Sequence, residues 1–318
     1  MSRTQLRRGV VGRVQHTGRR MQIFPLHAAG RDWAGDQPLS DANFLHPGEG
    51  LPTGLWQFAR LPYQVLEDLN LPARYERSFK LRPGTLLAQR YLLGVPTAGQ
   101  TPALLGEVAR RLGMPGAQQD LFEQALEGAS TALYGFEGGP EGALFKAYAE
   151  YSTRSSPALM QECGADPPAV EMFRGFKWRA GSADAGIQTC YSVRPGLGPQ
   201  QVRALADARL RVERLDALHG DVLAMLTRAL AARPGYAPIW LDLGEVGSTV
   251  RAFDLNLYDA GLRVQDIAGE VAAIGRAFLV DALLVQRLLA ASGPGLLGHV
   301  SAGLGREGQP YLTVYFEP

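Results

Sequence analysis

Cysteine is nearly absent: the 318-residue chain has two, Cys163 and Cys190, far apart and outside any metal-type spacing. That excludes a disulfide framework and points to a reducing compartment, so a cytoplasmic protein is expected. No apolar run reaches the roughly 18 residues that a membrane-spanning helix needs, and no membrane association is expected. Neither sign of charge dominates. A net charge of +1 gives no reason to expect a nucleic-acid partner. The five histidines (His16, His27, His46, His219 and His299) are scattered without metal spacing, so no protein-held metal is expected. His299 reads as a structural residue. There is no Walker-A pattern and no Gly-x-Ser-x-Gly elbow. Gly293-Pro-Gly295-Leu-Leu-Gly298 matches a dinucleotide-binding string, but it follows a helix and leads into a strand, the reverse of the required order.

What is present is a globular composition, 46% hydrophobic, with a rhythm that begins after an irregular front end. Residues 1–62 are an irregular N-terminal extension rich in turn formers. Six arginines lie in its first twenty residues without an apolar h-region, so this is a basic arm and no secretory signal. The remainder, 63–318, reads as a single domain. A helix from Pro62 to Leu69 leads to strands at 73–82 and 85–93, joined across Arg82-Pro83-Gly84. Helices at 103–113 and 118–129 precede strands at 131–137 and 143–153. A weakly marked segment around 157–165 leads to strands at 170–180 and 186–194. A long helical region, 199–232, breaks near Gly220 with Asp221 as N-cap. Strands at 237–243 and 249–258 follow, then an amphipathic helix over 263–291 and strands at 296–303 and 310–317.

Five hairpins separated by helices imply antiparallel neighbours, and ten such strands lose their edges by closing. The expected fold is therefore α+β: a closed ten-stranded antiparallel β-barrel surrounded by helices. A barrel this wide leaves a cavity. Strand alternation says what lines it. One parity carries Glu76, Ser78, Lys80 and Arg82. Another carries Lys146, Tyr148 and Glu150, and others carry Lys177 with Arg179, Asp254 with Asn256 and Tyr258, and Tyr311 with Thr313 and Tyr315. Inward cations need an anion to offset their desolvation, and a diphosphate is a natural guest. Tyrosines offer hydroxyl donors to phosphate and π faces to a cation. Such a lumen suits a reaction whose leaving group is diphosphate and whose transition state is carbocation-like.

Arg251-Ala-Phe-Asp-Leu-Asn-Leu-Tyr-Asp-Ala-Gly261, the ending His299-Val-Ser-Ala-Gly303 with Gly308-Gln-Pro-Tyr-Leu-Thr-Val-Tyr315, and Glu76-Arg-Ser-Phe-Lys80 resemble the cyanobactin-type peptide prenyltransferases. These belong to the aromatic prenyltransferase superfamily of α-β-β-α barrels. The resemblance covers 65–318 in architecture but only these stretches in residues. It implies transfer of a dimethylallyl or geranyl group from its diphosphate, with magnesium, to a side chain of a macrocyclic ribosomal peptide. The all-helical prenyl synthases are a poor match, since no Asp-Asp-x-x-Asp is present. Carried over, Arg90 and Lys146 would contact the diphosphate, joined by Lys177 on the strength of its shared face with Arg179, and Tyr148, Tyr258, Tyr311 and Tyr315 would screen the carbocation. The general base would be Glu76, although another register puts Arg82 in the acid's place and Glu137 is a further candidate. Asp254 and Asn256 would contact the acceptor, Asp254 suiting a cationic one such as guanidinium. In that family the barrel is open at one end to admit a peptide, and this chain ending at its last strand agrees. The alternatives are a small-molecule aromatic prenyltransferase and a non-catalytic ligand-binding barrel.

Overall fold

The computed structural model describes residues 53–151, 169–182, 186–248 and 251–318. The basic arm and the segment at 157–165 lie outside them. The ten strands are β1 (Arg74–Arg82), β2 (Thr85–Pro96), β3 (Thr131–Gly139), β4 (Gly142–Glu150), β5 (Val170–Arg179), β6 (Ile187–Val193), β7 (Ile239–Glu245), β8 (Arg251–Asn256), β9 (Leu296–Leu304) and β10 (Pro310–Glu317). Each pairs antiparallel with its neighbours in sequence, and β1 pairs with β10 to close the ring. The expected closed barrel is the observed one. Its upper end carries the five hairpin turns, and its lower end receives the connections that pass through helices.

Helices clothe the outside in two groups. The helices α1 (Thr53–Asp68), α2 (Pro102–Arg111) and α3 (Gly116–Leu126) cover β2 to β5 through Leu66, Val108, Phe122, Phe136 and Trp178, among others. Four more, α4 (Pro199–Val212), α5 (Asp216–Ala232), α6 (Ala268–Ala277) and α7 (Ala282–Ser292), cover the rest. Their apolar faces, including Leu210, Met225, Ile274 and Leu288, meet Phe79, Trp240, Phe253, Val300 and Val314. Trp240 and Phe253 stack at 4.7 Å between ring centroids, at 8°. Burying each such side chain stabilises the fold by about 1.5–3 kcal/mol, which holds the outward parity of every strand to the helix layer. The inward parity is thereby fixed on the lumen.

Several element boundaries differ from expectation. The first helix starts at Thr53 and carries Pro62 in its interior, so part of the supposed irregular extension is packed on the barrel. The region 199–232 breaks at Arg214, which takes a left-handed φ of 53°, and Gly220 sits inside α5. The region 263–291 breaks at Leu279, also left-handed at 57°. There Asp281 accepts from the backbone N–H groups of Leu283 and Leu284 and starts α7. Both breaks fall at non-glycine residues in a conformation that usually selects glycine. Composition therefore gave no warning of either.

Candidate active site

The lumen is divided by aromatic side chains. Tyr148 from β4, Tyr191 from β6 and Tyr315 from β10 line both an upper cavity of about 520 Å³ and a lower one of about 60 Å³. Tyr148 and Tyr191 meet edge-on at 6.0 Å between centroids. The ring of Tyr148 fits because residue 175 has no side chain: a Cβ there would lie 2.6 Å from Tyr148 Cε1.

The upper cavity is cationic. Seven Lys or Arg side chains and four glutamates line it. At its centre Glu137 accepts from Arg90 Nε at 2.9 Å and from Lys146 Nζ at 2.5 Å. Lys80 Nζ stands 4.0 Å from the Tyr311 ring centroid, and the Arg90 guanidinium faces Tyr315 at 5.9 Å. Burial would push the Glu137 carboxyl up, but Arg90, Lys146 and Lys80 outweigh it and hold the group well below the usual range. Burial lowers Lys146 and Lys80 to about 7, against the pull of Glu137, and lowers Lys177 as well. Arg90 Nη1 is buried with no hydrogen-bond partner. A desolvated cation with an unused donor is suited to an anion.

The lower cavity is acidic and partly greasy. Leu92, Leu133, Phe173 and Leu241 form its apolar wall, with Glu76, Asp254 and His299 as its polar groups. His299 Nδ1 donates to Asp254 Oδ1 at 2.7 Å. Burial lowers the imidazole, yet Asp254, with help from Glu76 and Glu150, carries it to about 9, so it is a cation at neutral pH. Glu76 accepts from the Tyr258 hydroxyl at 2.7 Å. Burial raises Glu76 to about 7, only partly countered by His299 and the Tyr258 hydrogen bond. Glu150, from the same face of β4 as Lys146 and Tyr148, is also raised to about 7, chiefly by burial, and its Oε2 is buried without a partner.

Most residues singled out in the sequence face this one lumen, but three sit otherwise than expected. Tyr258 follows the end of β8, in a 3-10 turn, and stands beside Glu76 and His299, apart from the tyrosines that divide the cavities. Glu137 lies within β3 and its charge is taken by two cations, which removes it as a candidate base. Asp254 is already paired with His299, so its charge is not free for an acceptor. Arg82 lines the upper mouth, while Glu76 lies below the tyrosines. Asn256 faces inward beside His299, with Nδ2 buried and unpartnered.

Sequence reasoning missed Tyr191 and the part played by His299. Both faces of β6 carry polar residues (Gln188, Cys190 and Ser192 against Thr189 and Tyr191), so alternation there gives no direction. For His299 the signal existed, since it alternates with Val300 and shares a face with Ser301.

Tyr258 reaches Glu76 across Gly298, where a Cβ would lie 2.5 Å from Tyr258 Cζ and 2.6 Å from its oxygen. Gly298→Ala is expected to displace the phenol, and with it one of the two influences that hold Glu76 down. The Glu76 carboxyl should then titrate higher still, read by carboxyl NMR. An unchanged titration would mean that the ring is held from elsewhere.

Among the described residues no group of three or more His, Cys, Asp or Glu side chains could hold a metal ion. In the upper cavity Glu137 and Glu245 are spent on Arg90, Lys146 and Arg306. This donor set does not fit a protein-bound magnesium, and no step below passes through one. No helix of the described residues is long and apolar enough to cross a membrane.

No family model and no curated protein matches the sequence. Solved structures do match. With 5-dimethylallyltryptophan synthase from Streptomyces coelicolor the TM-score is 0.54 at 16% identity, over 84% of this chain and 92% of that one. With PriB in binary complex with product diphosphate it is 0.50 at 19% identity, over 76% and 79%. With the prenyltransferase PriB bound to L-tryptophan and dimethylallyl thiolodiphosphate it is 0.50 at 18%, over 83% and 94%. The protein has the fold of the aromatic prenyltransferase barrels.

Proposed function

We propose that the protein is a prenyltransferase that takes a dimethylallyl or geranyl group from its diphosphate and delivers it to a side chain of a peptide. The observation that carries this is Arg90, whose buried and unpartnered Nη1 lies among Lys80, Lys146 and Lys177 directly above the tyrosine layer. The cations receive the diphosphate. As the carbon–oxygen bond breaks, its electron pair leaves with the diphosphate, and Tyr148, Tyr191 and Tyr315 face the electron-poor carbon with π density and exclude water. The acceptor waits in the lower cavity, where Glu76 takes its proton as the new bond forms.

A peptide acceptor is supported by the resemblance of 251–261 and 299–315 to peptide prenyltransferases. A small aromatic acceptor is the second reading, favoured by the tryptophan bound in the PriB complex of similar fold. Both are tested together by incubating the protein with dimethylallyl and geranyl diphosphate, a panel of cyclic peptides, and tryptophan, with mass spectrometry as readout. Adducts on peptides alone favour the first reading and adducts on tryptophan the second. No adduct, together with no diphosphate binding by calorimetry, would overturn the proposal in favour of a plain binding barrel. Magnesium in this scheme would ride on the diphosphate oxygens. Chelation is then expected to raise the KM for the diphosphate without abolishing turnover; complete loss of turnover would mean that the side-chain cations do not suffice.

The same lysines make binding pH-dependent. Lys80 and Lys146 sit near 7 in the free protein, and a bound polyanion stabilises their charged forms. The complex therefore holds more protons than the free protein above pH 7. Affinity for the diphosphate is expected to fall as pH rises from 7 to 9 and to change little below 7, apart from titration of the ligand itself. Affinity that is flat from 7 to 9 would place both lysines outside the diphosphate site.

A further inference from the structure

Among the charges facing the lower cavity, carboxylates outnumber cations. Among the described residues Glu76 and Asp254 line it from β1 and β8, Glu150 stands just beyond its lining on the inward face of β4, close enough to interact with His299, and His299 itself is committed to Asp254. The residue exposures are 3% for Glu76 and 2% for Glu150, so water does little for either carboxylate. The Tyr258 hydroxyl satisfies one oxygen of Glu76. Glu150 Oε2 is buried and has no partner. A carboxylate left in that state is costly, and a ligand that supplied a positive N–H would relieve it. A neutral ring would leave the cost in place.

The surroundings narrow the choice of cation. Beside the acids lie Leu92, Leu133 and Leu241, a lining for a methylene stem, and the rings of Phe173, Tyr148 and Tyr191. Phe173 and Tyr191 meet edge-on at 5.7 Å, and such rings are partners for a flat cation. A guanidinium is flat, stacks on aromatic faces and presents paired donors to a carboxylate, whereas an ammonium does neither.

We infer that the group entering the lower cavity is a guanidinium, an arginine side chain on the acceptor, held by the Glu76 and Glu150 carboxylates. This deepens the proposed function and rests on it for the reaction. In that reaction a guanidinium nitrogen bonds to C1 of the prenyl group, the C1–oxygen bond breaks with its electrons going to the diphosphate, and the displaced N–H proton goes to Glu76. The product guanidinium keeps its positive charge, so it leaves as it entered, by exchange with water.

Three capped residues decide it: Nα-acetyl N-methylamides of arginine, of citrulline, its neutral isostere, and of tryptophan. Calorimetry on the full chain is expected to give the arginine probe about a tenfold or greater advantage over citrulline, the scale of one charge-assisted hydrogen bond. Glu150→Gln should shrink that ratio towards one while leaving diphosphate binding unchanged. Citrulline or tryptophan binding as tightly as arginine to the wild-type protein overturns the inference, whether or not the variant folds. With dimethylallyl diphosphate present, an adduct on the guanidinium supports it. An adduct confined to the indole overturns it while the prenyltransferase reading stands. No adduct on any probe, and no diphosphate binding, fails the prenyltransferase reading, and the arginine-to-citrulline ratio still decides what the cavity holds.

Discussion

Arg90→Met is expected to raise the KM for the prenyl diphosphate by about tenfold to a hundredfold, the scale of one lost hydrogen bond to a charged group. Arg90 does two things at once. Its Nε holds Glu137, and its Nη1 is the unpartnered donor above the tyrosines. Methionine keeps the length and removes both. The variant should also be less stable, because among the described residues Glu137 then keeps Lys146 alone as a hydrogen-bonded cation. Breaking a buried pair costs about 3–5 kcal/mol, and the lysine that remains reduces that figure. The two effects separate in a double variant. Arg90→Met/Glu137→Gln should recover most of the stability and none of the KM, since glutamine needs no cation but cannot hold a diphosphate. Recovery of KM in the double variant would show that Arg90 acts only by neutralising Glu137.

Glu76→Gln is expected to lower kcat by about a hundredfold to ten-thousandfold with little change in the KM for the diphosphate, the range of a lost general base. A merely structural carboxyl would behave differently, and stability tells the two apart. Burial raises Glu76 from 4.5 to about 7, so the folded protein holds this proton more tightly than the unfolded chain. Its contribution to stability is therefore fully present below about 4.5 and is lost as pH rises towards 7. The loss amounts to about 3 kcal/mol at the upper end. Glutamine keeps the hydrogen bond from Tyr258 and never ionises. The variant should be slower than the wild type yet more heat-stable above pH 7, with the gain vanishing near pH 4. A variant that is slower and less stable at every pH would make Glu76 a packing element. In the wild type, kcat at saturating diphosphate should rise with pH through about 7, as the base ionises.

The barrel could be read because closure leaves a simple mark: ten short strands, turn residues at each hairpin, and helices between. Its lumen was legible where the two faces of a strand differ sharply, as in Tyr311, Thr313 and Tyr315 against Leu312, Val314 and Phe316. It was illegible where they do not, as around Tyr191. Contacts between distant strands were beyond reach altogether. Tyr258 meets Glu76 across 182 positions of chain, and only the ring's closure of β1 on β10, with β9 beside it, brings them together. Glu137 was misjudged because its charge partners come from β2 and β4, one on each side. The breaks at Arg214 and Leu279 escaped notice because the packing of four helices, and no local preference, sets them.

The division of the lumen at Tyr148, Tyr191 and Tyr315 has a consequence beyond its parts. Cations outnumber carboxylates above these rings and carboxylates outnumber cations below, and one strand spans the change: β4 carries Lys146, Tyr148 and Glu150 in that order. The interior is thus polarised along its length, like a charged capacitor with an aromatic dielectric between the plates. A bond broken along that axis separates its charges with the field, the anion upward and the carbocation downward. In the proposed reaction such walls would give the broken bond a direction, and recombination of the two halves would work against the field.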